Sequence, residues 1–117
     1  MTPIGDETVE AIEYALDALA LRAEVTANNV ANAEVPGFVA SRVSFETELD
    51  RALGERGPNR IGDPEVYAAP GSPDATGNTV NLESEVVEMM KTNLLQQAMV
   101  EAFNFKTGLL RSAIRGQ

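Results

Sequence analysis

No cysteine, histidine or tryptophan occurs in this chain of 117 residues. The missing cysteine excludes a disulfide framework and any thiolate metal site. The missing histidine removes the commonest general base and the commonest metal ligand. Aromatic residues are scarce, 5% against 44% hydrophobic overall, and much of that apolar content is alanine, which suits slim, closely packed helices better than a thick globular core. Positive charge is also in short supply: 9 basic residues face 18 acidic ones, leaving a net charge of −9. A surface of that sign disfavours nucleic acid and anionic membranes as partners. No apolar run approaches the ~18 residues that cross a bilayer, so no direct membrane insertion is expected. Met1 to Glu7 has neither a basic stretch nor an apolar one, and no cleaved secretory signal is expected from it.

What the chain does have is helical periodicity at both ends. Asp6 or Thr8 is a plausible cap for a helix over 6–32, with Glu7 and Glu10 in its first turn where the helix dipole favours acids. Val9, Ile12, Leu16, Leu19, Ala23, Thr26 and Val30 then alternate spacings of three and four, the 3.5-residue repeat of a coiled-coil seam. At 1.5 Å per residue this helix would be ~40 Å long. A second helix over 81–115, capped by Asn81 and carrying Glu83 and Glu85 in its first turn, repeats the pattern. Its seam is Leu82, Val86, Met89, Asn93, Gln96, Val100, Phe103, Thr107, Leu110 and Ile114. Lys106, Arg111 and Arg115 lie towards its C-terminus and Gly116 ends it. The amides at Asn93, Gln96 and Gln97 mark either a drift of that face off the core or buried polar groups that set register.

Between the helices, 33–53 reads as a turn and a short helix. Pro36-Gly37 fits the centre of a type II turn. Arg42 to Leu53 carries Phe45, Leu49 and Leu53 four apart, with Ser44 as cap and Gly54 as terminator. Residues 54–79 are rich in glycine and proline and read as a flexible loop, with room for a short extended piece around Val66 and Tyr67. The expected fold is therefore all-α: long N- and C-terminal helices pairing as a coiled-coil-like hairpin, in a single domain over 1–117.

Candidate chemistry is thin. Glu83, Glu85 and Glu88 read as dipole compensation on a solvated helix face. Asp63-Pro64-Glu65 sits where no scaffold would hold catalytic geometry. Ser41 and Ser44 have no histidine to activate them, and the only lysines, Lys91 and Lys106, lie on the other helix. Met89, Met90 and Met99 suit packing against neighbours. No phosphate-cradling glycine loop is present. The expectation is a protein that is no enzyme, with no catalytic, cofactor-binding or metal-binding residues and no cofactor.

The distinctive stretch is 27–38. Asn28, Asn29 and Asn32 crowd the end of a helix whose interior they suit poorly, because their amides compete for backbone groups. Pro36, Gly37 and Phe38 follow. Phe38 is either a core plug or an anchor for a neighbouring subunit. The pattern Ala-Asn-Asn-Val-Ala-Asn, a short polar step and Pro-Gly-Phe resembles the N-terminal signature of the flagellar axial proteins, the rod, hook and hook-associated family. Val35 departs from it, standing where threonine is more usual. The segments at Asn81-Leu82-Glu83, 97–106 and 110–116 and the short chain resemble the proximal rod members, of which two short types come into question.

The resemblance implies a structural role in the basal body rod, with Asn28, Asn29, Asn32, Pro36, Gly37 and Phe38 at subunit contacts. It implies helix seams through Ile12, Leu16, Leu19, Val86, Met89, Val100, Phe103, Leu110 and Ile114. It implies as partners other rod proteins, further copies of the chain, the ring-to-rod adaptor FliE and the flagellar type III export apparatus, and a place in the periplasmic rod. Phe45 and Leu49 match the Phe-x-x-x-apolar element of early export substrates, a spacing that is also an ordinary i,i+4 helix pair. A helical adaptor that binds partner helices is the reading from a different class. Two seams and a wealth of alanine leave an isolated chain little to bury, so its termini are expected to order on assembly.

Overall fold

The structure, a computed structural model, describes residues 4–54 and 61–116, with side chains from Glu7 onward. The stretch 55–60 of the expected loop lies outside the described residues. Five elements follow in order: α1 (Ile4–Ala31), β1 (Ser41–Ser44), α2 (Glu46–Gly54), β2 (Glu65–Ala68) and α3 (Leu82–Arg115). The molecule is long and thin, 66 × 26 × 14 Å.

Both long helices form where the periodicity predicts them. Since α1 already begins at Ile4, Asp6 and Thr8 lie inside its opening turns and not at a cap, positions that the dipole also favours for acids. Asn81 does cap α3, its Oδ1 accepting from the Ser84 N–H at 3.1 Å. The Gly116 N–H closes the other end on the Ser112 carbonyl. Asn29 near the end of α1 meets Glu85 near the start of α3, while Met99 further along α3 packs against the cluster of Ala15, Ala18, Leu19 and Phe45, so the helices run antiparallel.

The buried line keeps part of the expected rows. On α1 the chain buries Ile12, Leu19 and Thr26 of the expected row and half-buries Leu16 and Ala23, but it also buries Ala15, Ala18 and Asn29 and leaves Val30 exposed. On α3 it buries Glu85 and Thr92 and half-buries Gln96, Met99 and Phe103. Val86, Met89, Val100, Leu110 and Ile114 are exposed. The amides therefore divide: Gln96 faces α1, whereas Asn93 and Gln97 face outward. Periodicity picks out apolar rows, but the buried rows include the small Ala15 and Ala18 and the polar Thr26, Asn29, Glu85 and Thr92.

The short helix expected from Arg42 is a strand up to Ser44, and α2 starts only at Glu46. Val43 and Phe45 are both buried and alternate with exposed or half-buried neighbours, the two-residue period of a strand. Leu49 packs against the core as the i+4 partner of Phe45, but Leu53 is 59% exposed. β2 is the extended piece around Val66 and Tyr67. It pairs antiparallel with β1, Arg42 opposite Tyr67 and Val43 opposite Val66, so a small sheet is added to a mostly helical fold. The described part of the expected loop, 61–79, is thus bonded into the structure.

The core itself is small: Ala15, Ala18, Leu19 and Phe45, edged by Tyr14, Leu49 and Met99. Tyr14 meets Phe45 edge-on at 6.2 Å and donates its hydroxyl to the Gly62 carbonyl at 2.8 Å.

Candidate functional site

The shoulder where α1 turns into β1 gathers most of the buried polar groups. Asn29 is fully buried. Its Oδ1 accepts from the Ser41 N–H at 3.0 Å, and its Nδ2 donates to the Ser41 carbonyl and to Glu85 Oε1, both at 2.8 Å. Ser41 uses the edge of β1 that β2 does not cover, so one side-chain amide takes the place of a further strand. Glu85, 1% exposed, also receives Arg42 in a two-pronged ion pair, Nη1 to Oε1 at 2.9 Å and Nη2 to Oε2 at 2.8 Å. Those bonds hold the Arg42 guanidinium above its usual pKa against the opposing effect of burial. One node thereby joins α1, β1 and α3.

Asn29 thus spends its amide on Ser41 and Glu85 of its own chain. One expectation is corrected: Glu85 is no dipole compensator on a solvated face but the buried counter-charge of Arg42. A carboxylate in a helix's first turn has an ordinary local explanation, and its partner lies 43 positions away in the chain. No sequence signal marked the pair.

The other two asparagines behave differently. Asn32 donates to the Asn28 carbonyl at 2.8 Å and, more weakly, to Asn28 Oδ1 at 3.3 Å, and the Asn28 side chain is otherwise exposed. The chain then reverses through Val35-Pro36-Gly37-Phe38. The Phe38 N–H returns to the Val35 carbonyl at 3.2 Å, and Gly37 adopts φ +76°, the left-handed position that a type II turn reserves for glycine. Pro36 and Gly37 are exposed and Phe38 is half-buried.

A second turn clasps the first. Asp74 Oδ1 accepts from the Thr76 N–H, the Thr76 hydroxyl and the Asn78 N–H, and these bonds hold its carboxyl below the usual range. Asn78, which periodicity did not single out, is 2% exposed. Its Nδ2 donates to the carbonyls of Asn32 at 2.9 Å and Val35 at 2.7 Å, satisfying acceptors left over at the end of α1. The Gly37 N–H bonds the Thr76 carbonyl, and the Thr79 N–H bonds that of Phe38. The Asp-x-Thr-Gly-Asn run at 74–78 is a turn signature that could have drawn attention to Asn78.

Beyond the shoulder, Arg22 is anchored to β1 and α2. It bonds Glu46 at 2.7 and 3.0 Å and the Val43 carbonyl at 2.6 Å, and it lies over the Phe45 ring. Its hydrogen bonds hold the Glu46 carboxyl below the usual range. Phe45, expected at an export gate, is 4% exposed and Leu49 half-buried. No group of His, Cys, Asp or Glu able to hold a metal ion occurs among the described residues, and no helix among them is long and apolar enough to cross a membrane.

The sequence model described as "Flagella basal body rod protein" matches residues 13–38, the greater part of α1 and the turn through Phe38. The flagellar basal body rod protein FlgB of Aeromonas hydrophila is 32% identical over 119 aligned positions, covering 90% of this chain and 90% of that one. The chain belongs to the FlgB family. FlgB of Bacillus subtilis is 27% identical over 93% of this chain and 94% of its own, and FlgB of Escherichia coli K12 is 28% identical over 85% and 88%. As a member of the FlgB family the chain is a structural component of the flagellar basal body rod and not an enzyme.

Proposed function

We propose that the chain, as a single rod-type domain, builds the proximal part of the rod, the drive shaft between ring and hook, where it transmits torque and is required for flagellar assembly and motility. In this reading its neighbours are other rod proteins, further copies of itself and the adaptor FliE. It reaches the periplasmic space through the flagellar type III export apparatus without a cleaved signal.

The observation that supports this best is the apolar surface that α3 leaves uncovered. Leu82, Val86, Met89 and Val100 on one face, and Val87, Leu94, Phe105 and Leu109 on another, are each 47–69% exposed. A lone chain rarely leaves so much apolar surface in water, and neighbouring helices can cover it. Asn28, Pro36 and Gly37 present the shoulder to the same surroundings. Interlocking helices near a tube axis resist twisting without any chemistry, and a contact between unlike faces whose rotation does not close repeats into a filament. Because Phe45 is buried in the folded chain, the element Phe45 and Leu49 would be read before folding. Normal secretion of a variant with both residues changed to alanine would refute that role.

The test is genetic and biochemical. A strain lacking the chain should be non-motile and without rods, and the restored, tagged chain should co-purify with basal bodies. A motile deletion strain, or a tagged chain absent from basal bodies, would overturn the reading.

A further inference from the structure

The two edges of the small sheet differ. The Ala69 N–H donates to the Ala40 carbonyl at 2.9 Å, and backbone groups alternate in direction along a strand. Glu65 and Tyr67, in step with Ala69, therefore turn their N–H and C=O groups to β1, and Val66 and Ala68 turn theirs away from it. On β1 the same alternation sends Ser41 and Val43 outward. Side chains of α1 occupy that edge: Asn29 bonds both backbone groups of Ser41, and Arg22 bonds the Val43 carbonyl. The outward groups of Val66 and Ala68 have no hydrogen-bond partner among the described residues, and every residue of β2 is exposed.

Proline marks the limits of the open edge. Pro64 and Pro70, just outside β2, are in step with Val66 and Ala68, and neither has an N–H to offer. What remains is an edge too short to seed open-ended pairing, with an apolar side chain on each face of it. Val66 stands opposite the buried Val43, and Tyr67 opposite Arg42. Both Val66 and Tyr67 leave apolar surface in water. Donors and acceptors repeating along a line at strand spacing are matched by an extended backbone.

We propose that this edge of β2 receives an extended segment of another rod protein, added as a third strand beside Val66 and Ala68. The segment places an apolar residue opposite Val66, lengthening the row from Val43, and its next residue against Tyr67. A second copy is the poorer occupant. The free strand edge it offers among the described residues is β2 itself, and two like edges close into a pair, whereas a rod contact has to propagate. The inference rests on the rod reading above and assigns one of its contacts.

Proline substitution separates this role from the fold. Val66→Pro with Ala68→Pro removes the outward N–H groups and leaves those that face β1, as a sheet edge tolerates. In a strain without its own copy, the doubly changed chain should be secreted and should match the unaltered chain in helical circular dichroism, yet swarm no further than the deletion strain. Swarming like that of the unaltered chain overturns the proposal. A photocross-linking residue, p-benzoylphenylalanine, in place of Tyr67 gives a measurement that does not depend on how the proline variant folds. Irradiated basal bodies should yield an adduct that mass spectrometry maps to a single short segment of another rod protein. No adduct, or one joining two copies of this chain, overturns the contact. Absence of the unaltered tagged chain from basal bodies would instead remove the rod reading on which the contact rests.

Discussion

Replacing Arg42 by leucine removes the only guanidinium that, among the described residues, bonds the buried Glu85 carboxylate, and the outcome can be worked from the geometry. Glu85 is 1% exposed and the Arg42 side chain 15%, so water cannot replace the lost charge. After Arg42→Leu only the Asn29 amide remains on the carboxylate among the described residues. Stranding a buried charge in this way costs about 3–5 kcal/mol, a large share of the ~5–15 kcal/mol that holds a typical domain together. Changing Glu85 to leucine as well removes the stranded charge. Asn29 keeps both of its bonds to Ser41, so much of the loss should be recovered. Urea unfolding of the four chains, followed by helical circular dichroism, closes the cycle. The single variant should be unfolded or shifted by about 3 kcal/mol or more, and the double variant should lie well above it. A shift under ~1 kcal/mol for Arg42→Leu, or a double variant no better than the single one, would refute the node as the tie between α1, β1 and α3.

The remaining predictions address other contacts. Asn29→Leu leaves the Ser41 N–H unpaired and should cost about 1–3 kcal/mol; the variant should still be exported but should impair rod assembly, read from secreted fractions and basal-body yield. Thr92 buries a hydroxyl with no hydrogen-bond partner among the described residues, so Thr92→Val should raise stability by roughly 1 kcal/mol in the same unfolding assay, and a loss would contradict the orphaned hydroxyl. Glu48 is held down to about 2 by Arg51 and by the Gly62 N–H. Its folded pKa lies below the unfolded one, so its contribution is present above the ordinary carboxylate range and lost as pH falls from about 4.5 towards about 2. NMR titration should show that low midpoint, and Arg51→Ala should raise it.

The two long helices were legible because a three-four spacing sustained over 28 and 34 residues leaves few alternatives. Their buried rows were legible only in part, since α1 does bury Ile12, Leu19 and Thr26 but adds Ala15, Ala18 and Asn29, while hydrophobicity alone chooses the exposed Val30. The strand at 41–44 was hidden because the four-residue step from Phe45 to Leu49 and Leu53 mimics a helix, while the strand signal is only Val43 alternating with Phe45. At the shoulder, the oddity of three asparagines was visible, but the inward turn of Asn29 depends on Glu85 and Ser41, which only the folded chain brings to it. Asn78 illustrates the converse, a polar residue in a glycine-rich stretch that becomes the cap of a distant helix end.

The proposed rod role requires neighbouring subunits to cover the outward faces of α3. An image reconstruction of intact basal bodies containing this chain measures it directly. Leu94, Phe105 and Ile114, each more than 60% exposed in the single chain, should lie against helices of adjacent subunits. Finding those three side chains in solvent, with α3 touching no neighbour, would contradict the account.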